Sequence, residues 1–150
     1  MMSASVDLPD VNGWLALSAS HHPYHRRARA YWEQEAAPEI SFCRVTMLGL
    51  VRLLMQPRVM GDAALPTVQA LGLWQRWLQL PEVSLRAEPA ACEATLQALA
   101  TPTLPPRRLT DAYLAAMALS GGMRLVSFDS DCRRFDGLDL LRLEPEEHAA

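Results

Sequence analysis

The chain has 150 residues, with 14 basic and 17 acidic side chains and a formal net charge of −3 at pH 7. All of the basic side chains are arginine, and lysine is absent. A length near 150 and a composition that is 50% hydrophobic predict one globular domain, residues 1–150. They exclude disordered, collagen-like and disulfide-scaffold proteins. Because lysine is absent, Walker A loops, Schiff-base enzymes and lysine-dependent phosphoryl-transfer sites are excluded as well.

The cysteines and the N-terminus indicate where the protein works. Cys43, Cys92 and Cys132 are odd in number, far apart and not in metal-ligand spacing, which is typical of reduced thiols in the cytoplasm. No basic segment followed by an apolar stretch opens the chain, and every longer hydrophobic segment is interrupted, so we expect no targeting or membrane segment. The mild acidity argues against non-specific coating of nucleic acid, but it is compatible with an enzyme that holds one strand briefly.

Helical and strand-like patterns alternate along the chain. The predicted strands cover, roughly, 5–8, 39–43, 83–85, 123–128 and 138–143. The predicted helices cover 12–17, a segment around 28–32, a segment from Thr46 to before Pro57, then 67–78, 90–99 and 111–120. Thr46 and Thr110 are expected to be helix N-caps, and Gly121-Gly122 is expected to end the last helix. This alternation predicts an α/β fold with a central, mainly parallel sheet.

Carboxylates follow the predicted strands where ligands usually bind, outside the carboxyl ends of a parallel sheet. Asp10 follows the first strand, Asp129 closes the strand at 123–128, and Asp131 lies two residues further on. Asp111 lies in the first turn of a helix. Each acid alone has a local explanation as a helix cap, a first-turn charge or a turn residue. As a set, they are expected to meet at one edge of the sheet.

A cluster of carboxylates needs a counter-charge, because each ionised acid raises the pKa of its neighbours. A divalent cation supplies that charge, and hard oxygen ligands suit Mg²⁺ or Mn²⁺. Such an ion can polarise a phosphodiester, lower the pKa of the attacking water and stabilise the leaving oxygen. The set of acids therefore points to hydrolysis of a phosphodiester.

Four segments together resemble the PIN-domain ribonuclease toxins of the VapC type. They are 10–17 (DVNGWLAL), 45–54 (VTMLGLVRLL), 109–118 (LTDAYLAAMA) and 125–131 (LVSFDSD), and their order and spacing match over roughly residues 5–143. The resemblance implies a three-layer α/β/α fold and a Mg²⁺- or Mn²⁺-dependent endoribonuclease. It also implies a homodimer, and inhibition by a small antitoxin protein whose C-terminal segment lies over the active site.

The resemblance also assigns site residues, position by position. The matches to the metal-binding acids are Asp10, Asp111, Asp129 and Asp131, of which the last is variably present in the family. The first three are also the expected catalytic residues. Asn12 and Ser127 match polar positions that support such ligands through hydrogen bonds.

Two arginine pairs lie within about four residues of these acids. They are Arg107-Arg108 and Arg133-Arg134. Arginine binds phosphate with two parallel hydrogen bonds, so we predict that these pairs contact the phosphates of single-stranded or looped RNA.

One position departs from the family pattern. Gly49 stands where the family usually has a glutamate, although a subset with glycine there and an arginine like Arg52 is also similar to this sequence. Because the site then lacks one carboxylate, we predict weaker metal binding and a one-metal mechanism. Gly49 also motivates an alternative, a catalytically degenerate PIN scaffold that binds RNA or a partner protein without cleavage.

A response-regulator receiver, another α/β fold with an acidic pocket, is excluded because it requires a lysine.

Overall fold

A computed structural model describes residues 4–145, apart from the side chains of residues 133 and 134. Within this part a single sheet of five parallel strands forms, in the order β3-β2-β1-β4-β5. The strands are β1 Val6–Pro9, β2 Glu39–Phe42, β3 Val83–Leu85, β4 Arg124–Ser127 and β5 Leu140–Arg142. All five predicted strands are therefore confirmed, with ends that shift by at most two residues.

The described residues form seven α-helices between and after these strands. They are α1 Val11–Ser18, α2 His25–Gln34, α3 Arg44–Leu54, α4 Pro57–Met60, α5 Thr67–Leu78, α6 Cys92–Leu99 and α7 Leu109–Gly121. Short 3₁₀ helices cover Gly61–Ala63, Pro106–Arg108 and Ser130–Arg134. The short helix α4 was not predicted, because Pro57 was interpreted only as the end of α3, whereas a proline also suits the first turn of a new helix.

The predicted N-caps at Thr46 and Thr110 are wrong. Cys43 caps α3, and Thr46 lies in the first turn, where its hydroxyl accepts a hydrogen bond from the Cys43 N–H at 3.0 Å. Helix α7 begins at Leu109, because the 3₁₀ helix that ends at Arg108 continues directly into it. The predicted end of α7 is confirmed, since Gly122 adopts the left-handed conformation that glycine favours, with φ of 64°.

Apolar side chains cover both faces of the sheet and make three layers. On one face Trp14 of α1 is fully buried and stacks on Phe42 of β2, with ring centroids 3.8 Å apart. On the other face Met117 of α7 packs in a cluster with Leu8 and Leu125 of the sheet. The three-layer α/β/α architecture is thereby confirmed. The three cysteines are buried and unpaired, as predicted.

A buried ion pair stabilises the amino-terminal half of β1. Asp7 is fully buried and accepts hydrogen bonds from the Arg124 Nε at 2.8 Å and from the Tyr31 hydroxyl at 2.6 Å. These contacts join β1, β4 and α2. Burial and the Asp7 charge raise the pKa of Tyr31, so the phenol stays protonated as a donor. Asp7 was not predicted to be a site residue, and its contacts give it a structural role in holding the strands that carry the site.

Within residues 4–145, no helix combines the length and the apolar character that crossing a membrane requires.

Candidate active site

The topology brings the predicted acids to one edge of the sheet. β1 and β4 are parallel neighbours in which Pro9 is paired with Val126, and the Asp10 N–H donates to the Val126 carbonyl at 2.9 Å. Asp10 and Asp129 therefore leave adjacent strands at the same edge. Asp111 joins them from the first turn of α7.

The Asp10 carboxylate is held rigidly at the start of α1. One oxygen accepts a hydrogen bond from the Gly13 N–H at 2.7 Å, as a helix N-cap, and the other accepts from the Ser127 hydroxyl at 2.6 Å. The residue is only 8% exposed. A Cβ at Gly13 would lie 3.1 Å from the Asp10 Oδ1, so glycine allows this close approach of the helix turn.

Ser127 connects two of the acids. Its hydroxyl donates to Asp10 and accepts from the Asp129 N–H at 2.9 Å. Ser127 is fully buried, so it fixes the spacing of Asp10 and Asp129. The other predicted supporting residue, Asn12, is exposed on the first turn of α1. It lines a cavity beside the acids.

Arg108 lies among the remaining acids. Its guanidinium donates to Asp111 Oδ2 at 3.2 Å and to Asp129 Oδ2 at 3.3 Å, and it also forms an ion pair with Asp131. The Asp131 N–H donates to Asp129 Oδ1 at 2.9 Å, which holds these two acids together. The structure thus brings Asp10, Asp111, Asp129 and Asp131 into one region.

Burial raises the pKa of two of the acids, Asp10 and Asp111. Burial raises the pKa of Asp10 to about 6, and the charges of Asp111 and Asp129 add to the effect, although the Ser127 and Gly13 hydrogen bonds oppose it. Burial and the charge of Asp129 also raise the pKa of Asp111, against the opposing charge of Arg108. Raised pKa values in a carboxylate cluster indicate a place that favours an added cation.

The raised pKa of Asp10 predicts how the stability of the metal-free protein depends on pH. Between the ordinary value of 3.8 and about 6, the folded state binds more protons than the unfolded chain. The Asp10 contribution is therefore fully present below pH 4 and falls as pH rises through 6, by up to about 3 kcal/mol. Thermal unfolding in a chelator at pH 4, 5, 6 and 7 should show this loss in the wild type relative to Asp10→Asn. A difference that stays constant across this range would contradict the prediction.

The donor set has the chemistry of a Mg²⁺ or Mn²⁺ site. All of the candidate ligands are carboxylate oxygens, which these hard cations prefer, and each Asp10 oxygen keeps a lone pair beyond its hydrogen bond. Among residues 4–145, no three carboxylate, imidazole or thiol side chains are arranged to hold a metal ion. Arg108 instead donates to Asp111 and Asp129. The residue types suit a divalent cation, but Asp111 and Asp129 would be free to bind one only after Arg108 has released them.

A cavity of about 460 Å³ adjoins the acids on the side of α3. Its walls include Val11, which directly follows Asp10, and Thr110, which directly precedes Asp111. Asn12, Gly49 and Arg52 also line it. A Cβ at Gly49 would lie 2.5 Å from the Val11 Cγ2 and 3.1 Å from the Val11 Cγ1. The Val11 side chain therefore occupies the space that the Cβ of any other residue at position 49 would need.

The predicted RNA-contacting arginines have different surroundings. Arg107 is exposed beside the site, whereas the Arg108 side chain is only 16% exposed and faces the acids. The side chains of Arg133 and Arg134 lie outside the described part of the chain. The contacts of Arg108 with the acids were not predicted from the sequence. Its position three residues before Asp111, near a helix start, was the available signal, because such residues are neighbours on a helix surface.

A parallel sheet with four aspartates gathered at its carboxyl edge agrees with what comparison of the sequence with known families shows. The sequence model of the PIN domain matches residues 8–138. The chain is 38% identical over 139 residues to Ribonuclease VapC41 of Mycobacterium tuberculosis, an alignment that covers 89% of this chain and 95% of the relative. It is 31% identical over 134 residues to Ribonuclease VapC33 of the same organism, covering 87% and 93%.

Solved structures show the same fold. VapC20 of Mycobacterium tuberculosis, described as a sarcin-ricin loop cleaving toxin, superposes with a TM-score of 0.67 at 20% identity, covering 91% of this chain and 98% of the other. VapBC2 of Rickettsia felis, bound to a DNA fragment from its promoter, gives a TM-score of 0.64 at 12% identity, covering 93% and 99%. The chain belongs to the PIN-domain family and, within it, to the VapC-type ribonucleases of toxin–antitoxin systems, as the sequence resemblance implied.

Proposed function

We propose that this protein is the toxin of a type II toxin–antitoxin system and acts as a Mg²⁺- or Mn²⁺-dependent endoribonuclease. The observation that carries the proposal is the meeting of Asp10, Asp111 and Asp129 at one sheet edge, with Asp10 buried. Family membership supports the ribonuclease activity. The catalytic and metal-binding residues proposed for this chain are Asp10, Asp111 and Asp129, with Asp131 as an additional ligand.

The chain's own residues prepare the site for hydrolysis. Gly13 and Ser127 fix both Asp10 oxygens, so this carboxylate is oriented before any ligand arrives. When bound, a divalent cation would neutralise the acids and act as a Lewis acid toward the phosphodiester. In the reaction a water molecule gives up a proton as its oxygen forms a new bond to phosphorus, one P–O bond of the RNA backbone breaks, and the leaving oxygen takes up a proton.

The cavity beside the acids supplies a path for the substrate. It opens next to Asn12 and Thr110 and has Arg52 on its wall. Exposed Arg107 adds positive charge near the start of α7. Such a surface suits a single-stranded or looped RNA, because arginines can bind successive phosphates while unpaired bases enter the groove.

Family membership supports the proposed partners and compartment. A small antitoxin is the proposed inhibitor, and the VapBC2 structure of Rickettsia felis supports such a pairing. A homodimer and a cytoplasmic location are proposed as well. The three buried, unpaired cysteines agree with a reducing compartment.

Removal of the metal tests the proposal directly. Purified protein should cleave a looped RNA in Mg²⁺, lose cleavage in a chelator and regain it when Mg²⁺ is returned in excess. Expression should arrest growth, and co-expression of a small protein encoded just upstream should relieve the arrest. Cleavage that survives the chelator would refute metal dependence. A folded protein that binds RNA but does not cut it in Mg²⁺ or Mn²⁺ would favour the degenerate scaffold that Gly49 suggested.

A further inference from the structure

Arg108 makes an unusual set of contacts for a residue beside a cation-binding site. It is the last residue of the 3₁₀ helix Pro106–Arg108 and also the N-cap of α7, so its side chain starts close to Asp111. From there it contacts three aspartates, two of them through one nitrogen, Nη1. The side chain is 16% exposed, which is low for an arginine on a protein surface.

These contacts place the positive guanidinium group against the carboxylate oxygens that would bind a metal ion. Asp111 Oδ2 and Asp129 Oδ2 both accept from the same guanidinium nitrogen. A guanidinium is always protonated and has no lone pair, so it cannot join a metal's ligand shell. The two cations also repel each other. Arg108 and a divalent ion therefore compete for the same acids.

Resting on the proposed function, we propose that Arg108 is a built-in counter-ion of the acid cluster. It holds Asp111, Asp129 and Asp131 together in the metal-free protein, and it has to release Asp111 and Asp129 when a divalent cation binds. The positive charge of Arg108 stabilises the folded protein without metal, because it offsets the mutual repulsion of the acids. The same charge lowers the affinity of the site for metal.

The neighbouring residue provides a matched control. Arg107 has the same charge and lies in the same 3₁₀ helix, but it is exposed, and no ion pair of its side chain is found within the described residues. Loss of either charge changes the net charge of the protein equally. A difference between the two variants therefore reports the contacts of Arg108 and not long-range attraction of the metal.

The test measures Mn²⁺ binding to the RNA-free protein, by electron paramagnetic resonance of free Mn²⁺. Arg108→Gln should bind Mn²⁺ at least about tenfold more tightly than the wild type, and Arg107→Gln should change the affinity by less than about twofold. Arg108→Lys, which keeps the charge but not the branched set of donors, should fall between the wild type and Arg108→Gln. In a chelator, Arg108→Gln should unfold at a lower temperature than Arg107→Gln, and added Mn²⁺ should raise its unfolding temperature more.

Three results would overturn the inference. They are unchanged or weaker Mn²⁺ binding by Arg108→Gln, an equal gain in Arg107→Gln, and a metal-free unfolding temperature that Arg108→Gln does not lower. If Arg108→Gln does not fold, Arg108→Lys decides the matter by comparison with the wild type. Tighter Mn²⁺ binding than the wild type would support the inference, and unchanged or weaker binding would overturn it. Wild-type protein that cleaves RNA in Mg²⁺ while any of these results is found would refute only the role of Arg108. Wild-type protein that neither binds Mn²⁺ nor cleaves RNA would refute the proposed function as well.

Discussion

Asp10→Asn is expected to reduce RNA cleavage by at least about 100-fold, because even residues that only support metal ligands are worth about 10–100-fold. Asp111→Asn should cause a similar loss. Asparagine keeps the shape of aspartate but removes the charge that a cation requires. Cleavage of a looped RNA under single-turnover conditions, and growth arrest on expression, are the measurements.

The same substitution should leave the fold intact. Asp10 is buried, and burial raises its pKa to about 6, so its ionisation near neutral pH lowers the stability of the folded, metal-free protein. Asp10→Asn removes that charge and keeps an acceptor for the Gly13 N–H, so it should raise the unfolding temperature in a chelator at pH 7. Lost activity together with gained stability cannot be explained by unfolding. It separates a role in the reaction from a role in folding.

Asp62→Asn provides the control for this experiment. Asp62 is an exposed acid in the 3₁₀ helix Gly61–Ala63, away from the sheet edge, so its loss should change neither cleavage nor stability. If Asp10→Asn and Asp111→Asn variants still cleaved RNA and arrested growth like the wild type, the assignment of the site would fail.

Ser127→Ala is expected to reduce cleavage because it removes hydrogen bonds around the site. The hydroxyl donates to Asp10 and accepts from the Asp129 N–H. Its removal takes away one of the two hydrogen bonds on the Asp10 carboxylate and the acceptor of the Asp129 N–H. We expect cleavage to fall by about 10–100-fold, less than for the acids themselves. A smaller loss of cleavage than in the aspartate variants would identify Ser127 as a positioning residue. A weaker affinity for Mn²⁺ would distinguish that role from a general loss of stability.

The acids could be predicted from sequence because their position depends on local patterns. A short apolar strand followed within two residues by an aspartate directs that aspartate to the carboxyl edge of a parallel sheet, and Asp10 and Asp129 both follow this pattern. Asp111 required only a recognised helix start. The α/β class followed from the alternation of helices and strands in the same way.

Other features depend on contacts between distant segments, which a sequence pattern does not record. Arg108 was predicted to face RNA, but the long side chain turns toward Asp129 and Asp131, which lie more than 20 residues away in the sequence. Asp7 and Arg124 meet across 117 residues for the same reason. The direction of a flexible, charged side chain is set by the charges that the folded chain brings around it. The periodicity of strands and helices does not predict that direction.

Gly49→Ala is expected to destabilise the protein, although alanine favours a helix over glycine by about 1 kcal/mol. The added Cβ would lie 2.5 Å from the Val11 Cγ2, and Gly49 lies in α3 while Val11 opens α1. Forcing a carbon into such a contact costs about 1–3 kcal/mol, which exceeds the gain in propensity. Chemical denaturation should show the loss. Gly72→Ala is the control, because no atom lies within 4 Å of its added Cβ in α5, and it should stabilise the protein by up to about 1 kcal/mol.

Val11→Ala should reverse the sign of the effect. It removes both Cγ atoms and leaves the Val11 Cβ at 3.4 Å, an ordinary contact, so Gly49→Ala should become stabilising in that background.

The double variant Val11→Ala, Gly49→Glu then tests why the site lacks the usual glutamate. If Val11 and Gly49 together exclude a second metal, the wild type should bind one Mn²⁺ and the double variant two. Two well-occupied Mn²⁺ ions about 4 Å apart in crystals of the wild type would show that the missing carboxylate does not limit the site.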